Sequence, residues 1–266
     1  MTQVIAVTNQ KGGVGKTTTS VNLAASLSAV KRKVLLVDMD PQGNATMGSG
    51  VDKSSLEQSV CDVLLGDAQI RDCIHYIESS GFSVLPSNSD LTAAEVELMN
   101  STNRERRLRD VLDQVKAEYD YVIVDCPPSL NMLTLNALVA ADGVLIPMQC
   151  EYYALEGLSA LVETIEQVRG TVNPSLRIEG LLRTMFDPRN KLANDVSDQL
   201  IEHFGDQVYR TIVPRNVRLA EAPSHGLPVL TYDKTSRGAL AYFSLAGEII
   251  QNHVKAGSVP AGAAVA

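Results

Sequence analysis

Val4-Ile5-Ala6-Val7-Thr8-Asn9-Gln10-Lys11-Gly12-Gly13-Val14-Gly15-Lys16-Thr17-Thr18 opens the chain with an apolar run, a loop of three glycines and two lysines, and the start of a helical stretch. Strand, glycine-rich loop, lysine and helix in this order form the context a phosphate-binding loop requires. Gly12, Gly13 and Gly15, with Val14 between them, let backbone N–H groups turn inward and approach phosphate oxygens. The positive end of the following helix adds to the attraction. Lys16 is expected to reach the β- and γ-phosphates, the Thr17 hydroxyl to ligate Mg²⁺, and Thr18 to support the α-phosphate, so the implied cofactors are ATP and Mg²⁺. The ordinary spacing G-x-x-x-x-G-K-[ST] is not met, because position 10 is Gln10, and a second lysine, Lys11, stands beside it.

Working outward, two further apolar runs end in carboxylates: Val34–Asp38, continuing to Asp40-Pro41-Gln42-Gly43, and Tyr121–Asp125, continuing to Cys126-Pro127-Pro128. Ligands of open parallel sheets collect at the carboxyl ends of the strands. Asp125 is therefore expected to hold Mg²⁺, Asp40 to contribute to the metal site and position the attacking water, and Asp38 to orient metal waters or fix the loop. The competing reading for each is a strand-end carboxylate that caps a neighbouring helix. Cys126 reads as core filling.

Other strand candidates are Phe82–Leu85, Val144–Met148, Ile178–Met185 and Val208–Val213, alternating with helical patterns at Thr17–Val30, Ser89–Met99, Asn103–Glu118, Thr134–Ala141, Leu155–Arg169, Asn194–Phe204 and from Arg237 to Val254. Nearly continuous apolar strands between helices predict an α/β fold, a mostly parallel twisted sheet with helices on both faces. One domain over residues 1–255 is expected, with no separate domain before it and a disordered tail at 256–266, which is rich in Gly, Ala and Val.

The 266 residues suffice for one sizeable core. Four scattered cysteines show neither disulfide nor zinc spacing, which points to a reducing cytoplasm. No apolar run reaches the ~20 residues of a membrane span. The net charge of −8 argues against a general affinity for nucleic acid. Residues 177–218, however, hold seven basic side chains against six acidic ones, a local +1. The dense arginines Arg104, Arg106, Arg107 and Arg109 read as a solvated helix face, and His225 as part of a structural turn.

These motifs resemble the deviant Walker A ATPases and, within them, the ParA/Soj partitioning proteins. The matching elements are K-G-G-V-G-K-T-T at Lys11–Thr18, D-M-D-P-Q-G-N at Asp38–Asn44, V-D-C-P-P-S at Val124–Ser129, P-R-N-V-R-L-A-E-A-P-S-H-G at Pro214–Gly226 and Y-D-K-T-S-R-G-A at Tyr232–Ala239. The resemblance runs from Val4 to about Val254. It implies a homodimer that sandwiches two ATP molecules, with Lys11 reaching across to the partner's phosphates as an arginine finger does. It also implies hydrolysis supported by Asp40 and adenine recognition by the loop of Pro214 and Asn216. Non-specific DNA binding would use Arg189 and Arg218, and a ParB-type partner would stimulate hydrolysis and release the DNA, in a protein located on the nucleoid. Arg215 and Arg218 have an alternative role, holding the nucleotide loop in place. No glutamate general base stands beside Asp40, so slow hydrolysis that resets a binding state is expected.

Three relatives of the same loop compete. A MinD-like, membrane-recruited positioning ATPase needs a basic amphipathic C-terminal helix, whereas Gln251–Lys255 carries one lysine. An electron-transfer protein resembling the nitrogenase iron protein needs cluster-binding cysteines, which Cys126 and Cys150 do not match in placement. A tyrosine autokinase needs a tyrosine-rich tail, and this one has none. No membrane contact is expected.

Overall fold

The computed structural model describes residues 1–257. The tail for which no order is expected lies, from residue 258 onward, outside the described residues. Eight strands build one sheet: β1 (Gln3–Val7), β2 (Val34–Asp38), β3 (His75–Ile77), β4 (Phe82–Leu85), β5 (Tyr121–Asp125), β6 (Gly143–Met148), β7 (Arg177–Phe186) and β8 (Val208–Pro214). Their order is β3-β4-β2-β5-β1-β6-β7-β8. Every neighbouring pair is parallel except β3 with β4.

The central strands β1, β2, β5 and β6 are buried at every position because both faces of the sheet are covered there. Along β1, Val4 and Ala6 enter one core and Ile5 and Val7 the other, and β5 divides in the same way, with Val122 and Val124 opposite Tyr121 and Ile123. The helices are α1 (Lys16–Ala29), α2 (Asn44–Gly48), α3 (Val60–Leu65), α4 (Ile70–Cys73), α5 (Leu91–Leu98), α6 (Arg107–Leu112), α7 (Met132–Ala140), α8 (Ala154–Thr171), α9 (Lys191–Phe204), α10 (Val217–Glu221), α11 (Val229–Tyr232) and α12 (Arg237–Lys255). The apolar sides of α1 and α12 pack in one core, and those of α3, α5, α6, α7, α8 and α9 in the other. None of the described helices is long and apolar enough to cross a membrane.

The expected strands are all present, within a residue at each end. The sequence reading missed β3, an exposed antiparallel edge. The helix expected over Asn103–Glu118 is broken into a 3₁₀ turn, α6 and a second 3₁₀ turn. The bonds Gln114 N to Val111 O and Val115 N to Leu112 O tighten its end, and Val111, Leu112 and Val115 all remain buried. Arg104, Arg106 and Arg109 are exposed, while Arg107 folds back so that its Nε donates to Leu64 O.

At the amino ends of the strands a buried polar cluster ties α12 to the sheet. The Glu179 carboxylate accepts from His253 Nε2 at 2.8 Å and Arg177 Nη2 at 3.1 Å. Tyr209 OH adds a third bond at 3.3 Å, and His253 Nδ1 meets Tyr121 OH at 3.2 Å. Burial acts to raise the Glu179 pKa, but His253, Arg177 and Tyr209 outweigh it and hold the carboxyl below its usual range.

Candidate active site

The phosphate loop leaves β1 and turns into α1 with Gly13 at φ 74° and Gly15 at φ 90°, left-handed conformations that glycine adopts without strain. Gly15 is the N-cap of α1 and offers no side chain to the first turn, whose N–H groups face outward. Around Gly12 and Gly13 a Cβ would meet nothing, so the loop borders open space. Its outer side is held by Asn9, which donates to Pro147 O at 2.9 Å and accepts from Lys11 N at 3.0 Å. Thr184 Oγ1 donates to Val14 O at 2.7 Å, and Gln149 Nε2 to Gly13 O at 3.1 Å.

Lys16 is buried, and its Nζ donates to Lys11 O at 3.2 Å. Burial lowers its pKa, against the opposing pull of Asp125, Cys126 and Asp40. Asp38 and Asp125 end adjacent strands in register and are fully buried. Asp125 Oδ1 accepts from Ser20 Oγ at 2.7 Å, while its Oδ2 is enclosed without a hydrogen-bond partner. Burial, then the Asp38 carboxylate, push the Asp125 pKa well up, and the Ser20 and Thr17 hydroxyls pull the other way. A buried carboxylate oxygen with a free lone pair, next to a threonine hydroxyl and a second carboxylate, is an oxygen donor set that fits a hard divalent cation.

Asp38 works differently. Its Oδ2 accepts from Thr46 N at 2.8 Å and Thr46 Oγ1 at 2.7 Å, and its Oδ1 from Asp40 N at 3.1 Å. Burial raises its pKa and these bonds restrain the rise. Its geometry is that of a brace for the loop carrying Asp40. Ser87 Oγ donates to Asp40 O at 2.9 Å from the other side.

Two clefts meet at the loop. One, of about 670 Å³, is lined by Gly12, Gly13, Gly15, Lys16, Thr17, Thr18 and Asp40 among others. The second, of about 420 Å³, is lined by Pro214, Arg215, Asn216, Thr184 and Tyr242 among others. Gly15, Thr18 and Met185 line both. The first presents N–H groups, a lysine and carboxylates, and the second is mainly apolar, so together they suit the polyphosphate and the ring of a nucleotide. Asp125, fully buried against Ser20 of α1, does not itself line the first cleft.

Lys11 is exposed, and its Nζ is paired with Glu151 Oε2 at 2.5 Å. Arg189 and Arg218 lie outside both clefts. Arg189 is paired with Asp187 at 2.8 Å, and Arg218 with Glu221 at 2.7 Å and Asp233 at 3.3 Å. Arg215 does line the second cleft, which favours its loop-holding role. Cys126 is buried beside Asp125, where burial pushes its thiol strongly up, and all four cysteines are free. The His225 ring stacks on Tyr232 at 5.0 Å.

Several contributors escaped the sequence reading. Met185 stands between the clefts at φ 48°, a rare conformation for a side chain of its size. Thr184, Gln149, Ser20 and Thr46 gain their roles only through contacts with residues more than twenty positions away, apart from the shorter link between Thr46 and Asp38. Asn9, directly after the strand and before the glycines, carried the one local signal.

A family model described as an AAA domain matches residues 2–178. The sporulation initiation inhibitor protein Soj of Bacillus subtilis is 53% identical over 95% of this chain and 100% of its own length. The chromosome partitioning protein ParA of Myxococcus xanthus is 53% identical over 94% of this chain and 88% of its own length. A solved structure of cobyrinic acid a,c-diamide synthase from Mycobacterium smegmatis, with bound ADP and magnesium, has the same fold, with TM-score 0.84, 38% identity and 97% coverage of each chain. Matched along nearly its whole length by the Soj and ParA proteins, and carrying the phosphate loop on a P-loop fold, the chain belongs to the Soj/ParA family of chromosome-partitioning ATPases.

Proposed function

We propose that the protein is an ATP-dependent DNA-partitioning switch: Mg·ATP drives a sandwich dimer that binds DNA without sequence preference, and slow hydrolysis, stimulated by a ParB-type partner, releases it. The observation that carries the nucleotide part is the joined pair of clefts, with Lys16 in one and Asn216 beside the other. Thr17, Asp40 and Asp125 would hold Mg²⁺, which when bound neutralises charge on the β- and γ-phosphates. The backbone of Gly12 to Thr18 cradles the phosphates and Lys16 contacts the β- and γ-oxygens. Pro214 and Asn216 contact the adenine, and Asp40 orients the attacking water.

Lys11 acts across the dimer. Its exposure and its weak surface pairing with Glu151 support this, because an exposed ion pair is readily exchanged for a phosphate. Arg189 and Arg218 contact DNA phosphates. Dimerisation doubles the basic side chains on one face, which makes DNA affinity follow the nucleotide state. Support for these two residues comes from their surface positions. Their present carboxylate partners must be exchanged for phosphate.

The test is DNA retention of the purified protein with ATP, with ADP and without nucleotide, across a salt series. Retention only with ATP, on unrelated DNA sequences and lost as salt rises, is the expected result. Tight ATP binding without DNA retention in any state would leave an ATPase and overturn the switch. An unstimulated turnover within the ~1–100 per second typical of kinases would overturn the slow-reset reading.

A further inference from the structure

At the opposite end of the sheet from the phosphate loop, a second polar cleft opens beside the amino ends of β2, β4 and β5. It has a volume of about 520 Å³ and is lined by Ser28, Lys31, Arg32, Lys33, Tyr76, Gly81, Ser83 and Tyr119, with Val34. Three consecutive basic residues contribute, and among the described residues no carboxylate lines it. Lys31 and Lys33 are exposed at the rim, and the Tyr76 side of the cleft is open, that residue being 64% exposed.

Arg32 is only 7% exposed. Its Nε and Nη2 are shut off from solvent and make no hydrogen bond, and it forms no ion pair among the described residues. A guanidinium cannot escape this by losing its proton, so burial without a counter-charge is strongly unfavourable. Two acids at the amino ends of the strands, Asp120 and Glu179, bond to other groups. Asp120 Oδ2 accepts from Lys33 N at 2.8 Å, and Glu179 is engaged by His253, Arg177 and Tyr209. The C-terminal dipole of α1 favours a cation here, yet only the Arg32 backbone N–H bonds the helix, at Leu27 O, 3.1 Å away; the guanidinium donates to none of its carbonyls, so helix capping does not account for the side chain.

We propose that this cleft binds a small phosphomonoester, with Arg32, Lys31 and Lys33 around the phosphate and the organic part against Tyr76 and Tyr119. Three cations match a dianion better than a single carboxylate. The concave form, with its guanidinium at depth, favours a small molecule over the exposed backbone of a duplex. The proposal is independent of the DNA reading above.

The test uses the full chain saturated with Mg·ADP, so that the phosphate loop is occupied. Inorganic phosphate and ribose 5-phosphate are titrated calorimetrically into the wild type, Arg32→Met and the rim double variant Lys31→Ala/Lys33→Ala. The expected result is saturable binding to the wild type, tighter for ribose 5-phosphate, and weakened at least roughly 10-fold in either variant, the scale of losing one charged hydrogen bond. Tyr76→Ala removes the advantage of ribose 5-phosphate. Because Lys31 and Lys33 are exposed, the rim variant remains informative where Arg32→Met does not fold. Absence of saturable binding to the ADP-loaded wild type overturns the proposal, as does equal binding by the rim variant. Loss of ATP-dependent DNA retention in the rim variant, with no binding of either small phosphate, would assign the cleft to DNA instead.

Discussion

Replacing Thr46 with valine should destabilise the protein more than replacing it with serine, although valine keeps the volume and serine does not. Thr46 is fully buried. Its hydroxyl donates to Asp38 Oδ2 at 2.7 Å and accepts from Ser87 N at 2.9 Å. Valine removes both bonds, leaving a buried N–H unpartnered at about 1–3 kcal/mol and deleting a bond to a carboxylate worth about 1.5–3 kcal/mol. Partial relaxation keeps the total at about 3 kcal/mol. Serine retains both bonds and loses one buried methyl, about 1 kcal/mol. At about 2–4 °C per kcal/mol for a chain of this size, thermal midpoints should fall roughly 6–12 °C for Thr46→Val and 2–4 °C for Thr46→Ser.

The pH dependence has a definite sign. Burial raises the Asp38 pKa and the Thr46 bonds restrain it, so removing the hydroxyl raises it further. A raised carboxyl contributes stability that is present at low pH and lost as pH rises through its folded value. The valine deficit should therefore grow from pH 5 to pH 8. Because Asp38 also braces Asp40, hydrolysis should slow severalfold in Thr46→Val and little in Thr46→Ser. The assay is urea and thermal unfolding of nucleotide-free protein across this range. A valine variant as stable as the serine variant would show that packing, not the hydroxyl, holds this corner, and the reasoning would fail.

Glu179→Gln should cost about 1–3 kcal/mol at neutral pH. Its carboxyl is held below its usual range, so its contribution is present above the unfolded value of ~4.3 and lost as pH falls through the folded value; the gap between the urea midpoints of variant and wild type should narrow as pH falls below that unfolded value. Arg189→Ala and Arg218→Ala should weaken DNA retention on all sequences alike and flatten the slope of log K against log salt by about 1.8 each, two contacts per dimer, with ATP affinity unchanged; an unchanged slope removes that residue from the interface. Gly180→Ala places a Cβ against the buried ring of Tyr209 and should cost about 1–3 kcal/mol, measured as a thermal midpoint several degrees lower.

What the chain revealed in advance divides along physical lines. β2 and β5 were legible to the residue because strands buried on both faces are continuously apolar and stop abruptly at Asp38 and Asp125. The phosphate loop was legible because its function needs glycine at fixed places. His75–Ile77 was not, since an exposed edge held by one partner needs no apolar run. Asp38 illustrates the limit of motif reasoning: its position was plain, but the bracing bonds it accepts from the Thr46 and Asp40 N–H groups depend on neighbours that only folding brings near. Met185 and Thr184 end a strand that reads as ordinary core, and nothing local announces that the chain there turns between two clefts.

The two clefts draw on opposite wings of the sheet. The phosphate side is built from the ends of β1, β2 and β5, the ring side from the ends of β7 and β8 with α10 and α12, and Met185 stands at the seam. On the proposed reading, a nucleotide lying across both would be a clasp that fastens one wing to the other. Its dissociation constant would then gauge the integrity of the whole sheet, and damage far out on β8 would register at the phosphate loop, because a molecule whose wings had parted is one the nucleotide could not close upon.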